Sequence, residues 1–235
     1  MGTTSWAFAM PVQPGKEGLI AKEVPEHLRQ NIDEVVASYQ HHGLTLDRGY
    51  LMPSPMGSFY VQYNEATRPF DQVLASFTES DKEIDRYINQ TFAEASGIDL
   101  QEAGFTEPEL IWEYGQPGTT RGRGVAFCAP VPERQTERLK AFFREAMSRT
   151  EELNASRAAV KITLERGYLN VGPDGNLLCV YLEGTDPVAS NEAFAHSTKP
   201  YDVWFKKEAE QITGVDFNQP LPPIEQLWDW PANEG

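Results

Sequence analysis

The hydrophobic and polar positions of this chain form a pattern that is written twice. A short apolar run, Trp6 to Val12, precedes a segment in which Leu28, Ile32, Val35, Val36 and Tyr39 recur at the spacing of one helix face, and Gly43 ends it. Pro25 starts or kinks that helix. Two strand-like runs follow, Leu44 to Met52 and Phe59 to Glu65. A second helical region, broken near Ser80, extends to Gly97, and Trp112-Glu113-Tyr114 closes the series as a last edge strand. The same order then returns. Val125 to Val131 is followed by a helical stripe of Leu139, Phe142, Phe143, Ala146, Met147 and Leu153, by strands over Val160 to Asn170 and Leu177 to Glu183, by a helical region broken near Ser197 and ending at Gly214, and by Trp228-Asp229-Trp230. Between the last two long strands, Pro173-Asp174-Gly175-Asn176 predicts a tight hairpin turn, because glycine supplies the positive φ such turns need.

Individual residues repeat in register as well. Leu46-Asp47-Arg48-Gly49-Tyr50-Leu51 returns 118 positions later as Leu164-Glu165-Arg166-Gly167-Tyr168-Leu169. Pro55, Gly57, Tyr63 and Glu65 meet Pro173, Gly175, Tyr181 and Glu183 at the same offset, which drifts by a residue or two toward the ends of the copies. The predicted domains are therefore residues 5–115 and 124–231, with a glycine-rich linker at 116–123. The order strand-helix-strand-strand-helix-strand is the ferredoxin-like α+β arrangement, with helices on one face of each sheet. The other face needs cover too. Two such repeats packed sheet on sheet about a pseudo-twofold axis would give a pseudo-dimeric α+β barrel in one chain, with further self-association left open.

Charge narrows the partners. A net charge of −15 and a pI near 4.7 give a field that repels phosphate backbones and anionic lipid, so neither nucleic acid nor a membrane is expected as partner. No apolar stretch is long enough to span a bilayer and the first residues lack a signal-peptide pattern, so a cytoplasmic location is expected. Cys128 and Cys179 lie in apolar strands without metal or redox spacing and read as buried thiols. A P-loop, a GxSxG elbow, an HExxH helix, a CxxC pair and a Rossmann fingerprint are all missing.

With these elements in this order, the sequence resembles the dimeric α+β barrel superfamily, which includes antibiotic-biosynthesis monooxygenase-like proteins, heme-degrading monooxygenases and chlorite dismutase-like proteins. The run from His196 through Phe205, followed by Thr213-Gly214-Val215-Asp216-Phe217, is similar to a stretch in small uncharacterised bacterial proteins of this shape. The resemblance implies a ligand pocket between each sheet and its helices, and an enzyme that takes an aromatic or polyketide-like small molecule as a monooxygenase or cyclase without a cofactor. It also implies an alternative, heme bound through His196. A non-catalytic ligand-binding or interaction protein is the third reading.

Several residues carry these expectations beside plainer structural ones. His196 stands where the first copy has Glu79, and is either a surface histidine or a general base or heme ligand. His41 and His42 fall at a helix end, where a cation favours the dipole, and His27 lies early in the same helix. Ser80 and Ser197 read as caps reinforced by Asp85 and Asp202; alternatively Ser197, Tyr201 and Trp204 rim a pocket. Strand alternation puts Leu44, Leu46, Arg48 and Tyr50 on one face, and Ile162, Leu164, Arg166 and Tyr168 on its counterpart, with the helices expected above. On that reading Arg48 or Arg166 holds an anionic ligand oxygen or pairs with a structural acid, and Tyr50 and Tyr168 shape the cavity. Thr45, Asp47, Thr163 and Glu165 are expected on the far face.

Overall fold

A computed structural model describes residues 3–100, 106–116, 118, 121–172 and 175–231. Pro173 and Asp174 of the hairpin turn, and Pro117, Thr119 and Thr120 of the linker, lie outside the described residues. The first repeat builds β1 (Thr4–Val12), a π-helical turn (Leu19–Glu23), α1 (Val24–Gln30), α2 (Ile32–His42), β2 (Leu44–Ser54), β3 (Gly57–Ala66), α3 (Phe70–Thr78), α4 (Glu83–Ser96) and β4 (Glu109–Gly115). The second builds β5 (Arg123–Val131), α5 (Thr136–Ser148), α6 (Thr150–Ala159), β6 (Ile162–Gly172), β7 (Gly175–Gly184), α7 (Pro187–Ala195), α8 (Pro200–Thr213) and β8 (Glu225–Trp230). The helical regions break where expected, at Ser80 and Ser197. Pro25 falls where the π-helical turn passes into α1, in the first turn of that helix.

Both sheets are antiparallel and four-stranded, in the orders β1-β3-β2-β8 and β4-β6-β7-β5. The closing strand of each repeat is an edge strand, but of the other repeat's sheet: β8 pairs with β2, and β4 with β6. One compact unit therefore takes the chain up to Glu107 and again from Pro223, while the other is Pro108–Pro222. Sequence repeats and spatial units differ by this exchange.

A recurring lock holds each exchanged strand. Arg48 and Asp229 are directly opposite in the β2–β8 ladder, Nε donating to Oδ1 at 2.8 Å. Arg166 and Glu113 are opposite in the β6–β4 ladder, Nε donating to Oε1 at 2.9 Å. The glycine after each arginine faces the tryptophan of the closing tripeptide, Gly49 opposite Trp228 and Gly167 opposite Trp112. A Cβ on Gly167 would lie 3.0 Å from Trp112 Cβ, too near for comfortable packing. The repeated Arg-Gly-Tyr and Trp-acid-aromatic motifs are thus two halves of one contact, and the structural partner expected for each arginine is the acid of the incoming strand.

The expected face assignment is overturned by one residue in each copy. The β2–β3 register shifts between Leu44 and Leu46, and the β6–β7 register between Ile162 and Leu164, so Thr45 and Thr163 are bulges that reverse the alternation beyond them. Leu44 and Ile162 lie on the helix side as expected. From there on it is Asp47 and Glu165 that meet the helices, while Arg48, Tyr50, Arg166 and Tyr168 occupy the opposite face.

The core of the first unit lies between its sheet and α1, α2 and α4, and Leu227 of β8 belongs to it at 7% exposure. Removing a buried leucine costs about 2–5 kcal/mol. Leu227→Ala is therefore expected to destabilise the first unit although it changes the end of the second repeat. Hydrogen exchange followed by mass spectrometry should show faster exchange in β2 and not in β6; the reverse would contradict the exchange.

Candidate functional site

The second unit contains a cavity of about 40 Å³ between its sheet and the overlying helices. The wall is mostly apolar, with six aromatic rings among its sixteen lining residues. Trp112 on β4 packs against Phe143 on α5 and Phe205 on α8, with ring centroids 5.3 and 5.6 Å apart, and Phe194 on α7 lies 5.8 Å from Phe205. Their own burial in a helix–sheet core explains their presence, but the polar groups among them do not belong to an ordinary core.

Arg157 on α6 is 1% exposed and lines this cavity with Glu165 of β6. Its Nε donates to Glu165 Oε2 at 2.5 Å and its Nη2 to Oε1 at 3.4 Å, while Nη1 donates to Ser156 Oγ at 2.9 Å. The guanidinium carbon lies 4.8 and 5.0 Å from the centres of the Phe194 and Phe205 rings, a cation–π setting that favours keeping the charge inside. Removing one member of such a buried pair costs about 3–5 kcal/mol because the other charge is left stranded. Ser156 in turn donates to Asp202, which also accepts from Ser197, so Arg157 is anchored through a chain of hydrogen bonds to α8.

Trp112 adds a donor without an acceptor. It is 1% exposed, and among the described residues its indole Nε1–H meets no hydrogen-bond acceptor. A buried donor left unsatisfied costs about 1–3 kcal/mol. In the first unit the Nε1–H of the corresponding indole, Trp228, is likewise buried with no hydrogen-bond acceptor among the described residues, so an unpaired indole belongs to both copies. What differs is its neighbour: Tyr39 stands at the repeat position of Arg157.

The remaining wall also diverges between copies. Leu178, Val180 and Leu182 line the second unit's cavity, and their repeat partners are Tyr60, Gln62 and Asn64. In the first unit Gln62 and Asn64 donate to Asp47 Oδ1 at 2.6 and 2.9 Å, and the Tyr39 hydroxyl donates to Oδ2. Burial pushes the Asp47 carboxyl up, against the pull of these three donors, and burial with the adjacent Asp47 pushes the Tyr39 phenol well up. Polar side chains, two of them bonded to Asp47, thus stand where the second unit has apolar ones.

The residues singled out from the sequence are distributed differently. His196 caps α7 in the open, with Nδ1 and the Glu192 carbonyl 2.8 Å apart, and it is not on the cavity wall. Tyr201 is buried and its hydroxyl donates to the Ala146 carbonyl at 3.1 Å; burial raises its pKa. Trp204 lies under the Arg149 guanidinium, 4.2 Å from its ring centre. Ser197 and Ser80 support buried carboxylates, Asp202 and Asp85, and neither is the residue immediately before its helix. Arg48, Arg166, Tyr50 and Tyr168 lie on the face away from the helices, so the structure brings none of the expected site residues to the cavity. Arg157, Glu165 and Trp112 take their place there. The signal that points to them is the recurrence of Ala37-Ser38-Tyr39 as Ala155-Ser156-Arg157, a conserved serine followed by a change of chemistry.

A heme group fits this cavity poorly. Its lining offers no histidine, cysteine, methionine or tyrosine to ligate iron. Among the described residues, no group of three or more His, Cys, Asp and Glu side chains could hold a metal ion. None of the helices among them is long and apolar enough to cross a membrane.

A second buried constellation belongs to the first unit. His41 is exposed at the helix end, but His42 is fully enclosed, its Nδ1 and Ser76 Oγ 2.7 Å apart and its Nε2 and Asp85 Oδ2 2.9 Å apart. Burial pushes the Asp85 carboxyl up, but hydrogen bonds from His42, Ser38 and Ser80 outweigh it and hold the pKa below the usual value. A carboxyl depressed on folding adds stability above its unfolded pKa of about 4 and loses it as pH falls through the folded value. Acid unfolding of the wild type should accordingly steepen below about pH 4, and Asp85→Asn should flatten that limb while lowering stability at neutral pH. Parallel curves for the two proteins would show that Asp85 is not the group responsible.

No family model matches the chain, and no curated protein matches its sequence. Solved structures do match its shape. An anthrone oxidase-like protein is similar at a TM-score of 0.52 and 9% identity, with 96% of this chain and 91% of that one covered. A candidate monooxygenase from Fusobacterium nucleatum subsp. nucleatum is similar at 0.51 and 8%, covering 97% and 93%, and another from Lactobacillus acidophilus at 0.50 and 9%, covering 96% and 94%. Likeness of this kind, at full length and low identity, is likeness of fold. The chain has the fold of the dimeric α+β barrel proteins, with two sheets and two sets of covering helices encoded in a single polypeptide.

Proposed function

We propose that the protein is a small-molecule enzyme of the monooxygenase type, which takes a planar aromatic ligand bearing an oxygen function into the cavity of the second unit. One observation carries this reading: the buried Arg157–Glu165 pair, with Trp112 and its unpaired N–H as a neighbouring lining residue, stands in the wall of a largely apolar cavity. Apolar walls with a few convergent polar groups characterise small-molecule sites. The donors suit a ketone or enolate oxygen, and Glu165 is the one carboxylate among the lining residues.

The similarity to an anthrone oxidase-like protein supplies a concrete substrate class, a tricyclic aromatic ketone with an acidic methylene. Glu165 takes a proton from that methylene, and the enolate oxygen that forms accepts hydrogen bonds from Trp112 and Arg157. Dioxygen is the oxidant: one of its atoms becomes the new carbonyl oxygen and the other leaves as water with the two methylene hydrogens. The cavity is smaller than the roughly 300 Å³ or more of a ligand site, so entry requires the rings of Phe194 and Phe205 to move aside. In this reading His196, Arg48 and Arg166 have no part in the chemistry.

Calorimetric titration with anthrone should give one site per chain. Trp112→Phe should weaken binding about tenfold, the worth of a hydrogen bond of roughly 1.4 kcal/mol, and Glu165→Gln should retain binding while abolishing anthrone-dependent oxygen uptake. Two equal sites, or uptake that survives Glu165→Gln, would overturn the assignment.

A further inference from the structure

The two cysteines, which the proposed chemistry does not use, are set opposite one another. Cys128 on β5 and Cys179 on β7 are registered partners in the antiparallel ladder, within an unbroken stretch of nine pairs. Cross-strand partners share a face, here the one turned away from the helices, because the flanking residues Phe127, Leu178 and Val180 line the cavity on the other. Opposed residues of an antiparallel pair have Cα atoms about 4.5 or 5.5 Å apart, and a disulfide accepts roughly 4.4–6.8 Å. Backbone spacing therefore permits a bond between them. Both are free thiols.

The duplication provides an internal comparison. The same registered pair in the first unit is Ala9 and Val61, so the fold accepts two inert side chains at this place. A cysteine stands on both strands together only in the second unit, directly behind the wall of its cavity.

We propose that Cys128 and Cys179 are a dithiol–disulfide site, closed across β5 and β7 by a peroxide oxidant and reopened by thiol reductants. Cys128, at 9% exposure against 0% for Cys179, is attacked first. Its sulfur displaces water from hydrogen peroxide with cleavage of the O–O bond and becomes a sulfenic acid; the Cys179 sulfur then displaces the hydroxyl as a second water. Two thiols lose two protons and two electrons, one S–S bond forms, and the peroxide is reduced to water. Burial pushes the Cys128 thiol up to about 12, and burial with Cys128 as neighbour pushes the Cys179 thiol well up too, so closure is slow and needs sustained oxidant.

The test exposes the full folded chain to hydrogen peroxide, unfolds it in an alkylating reagent and measures intact mass. Wild type should pass from two alkylated thiols to none without forming a dimer, lose two hydrogens in mass, yield a peptide linking Cys128 to Cys179, and revert with dithiothreitol. The double variant Cys128→Ala, Cys179→Val, which copies the pair of the first unit, should fold with the same unfolding midpoint and show no such mass change. Retention of both thiols under conditions that form the intramolecular disulfide in the unfolded chain would overturn the proposal, as would separate sulfinic acids or disulfide-linked dimers in the wild type.

Discussion

The ion pair that joins each mid-sheet arginine to the acid of the exchanged edge strand is the contact on which the rest of the architecture depends. Arg48 is fully buried and meets Asp229; Arg166 is partly exposed and meets Glu113. By exposure, the first pair is the costlier to break, since exposed pairs are worth only about 0–1 kcal/mol. Beside each pair a glycine stands opposite a tryptophan, Gly167 making room for Trp112 and Gly49 for the Tyr60 ring, so charge and shape select the same register. The lock reinforces the backbone ladder that holds each sheet's fourth strand, and in the second unit that strand carries Trp112, part of the cavity wall.

Duplication explains why the locks are alike and the sites are not. Asp85 and Asp202 each receive two serine hydroxyls, from Ser38 and Ser80 or from Ser156 and Ser197. That arrangement recurs because it ties helices together in either copy. Beyond it the copies diverge: Tyr39 and Asp47 form a closed neutral-donor network with Gln62 and Asn64, whereas Arg157 and Glu165 form an ion pair among apolar neighbours. A feature shared by both copies is explained by folding; one confined to a single copy calls for another cause, and the proposed ligand would supply it for the second unit.

Much of the fold is legible in the sequence because hydrophobic period and in-register repetition are local signals. The strands, the broken helices and the edge position of the Trp-acid-aromatic tripeptides follow from them. The strand exchange does not, since duplicated edges are chemically equivalent and either tripeptide fits either sheet. The helix-facing side of β2 and β6 was hidden by single bulged threonines, Thr45 and Thr163, which reverse every side chain beyond them without disturbing the apparent alternation. For that reason Glu165 and Asp47 were expected on the far face and the arginines near the helices. His42 was hidden differently: a histidine at a helix end suggests a dipole contact, and only the packing of α2 against α3 and α4 encloses it with Ser76 and Asp85.

The account as a whole rests on a ligand oxygen meeting the Trp112 indole. The chain has five tryptophans, so a nitrogen-15 correlation spectrum should resolve five indole N–H signals assignable by substitution. On addition of anthrone the Trp112 signal should move downfield as its N–H gains an acceptor, while that of Trp228 stays in place. An unmoved Trp112 signal under saturating ligand, or a shift at Trp228 instead, would contradict the assignment of the site.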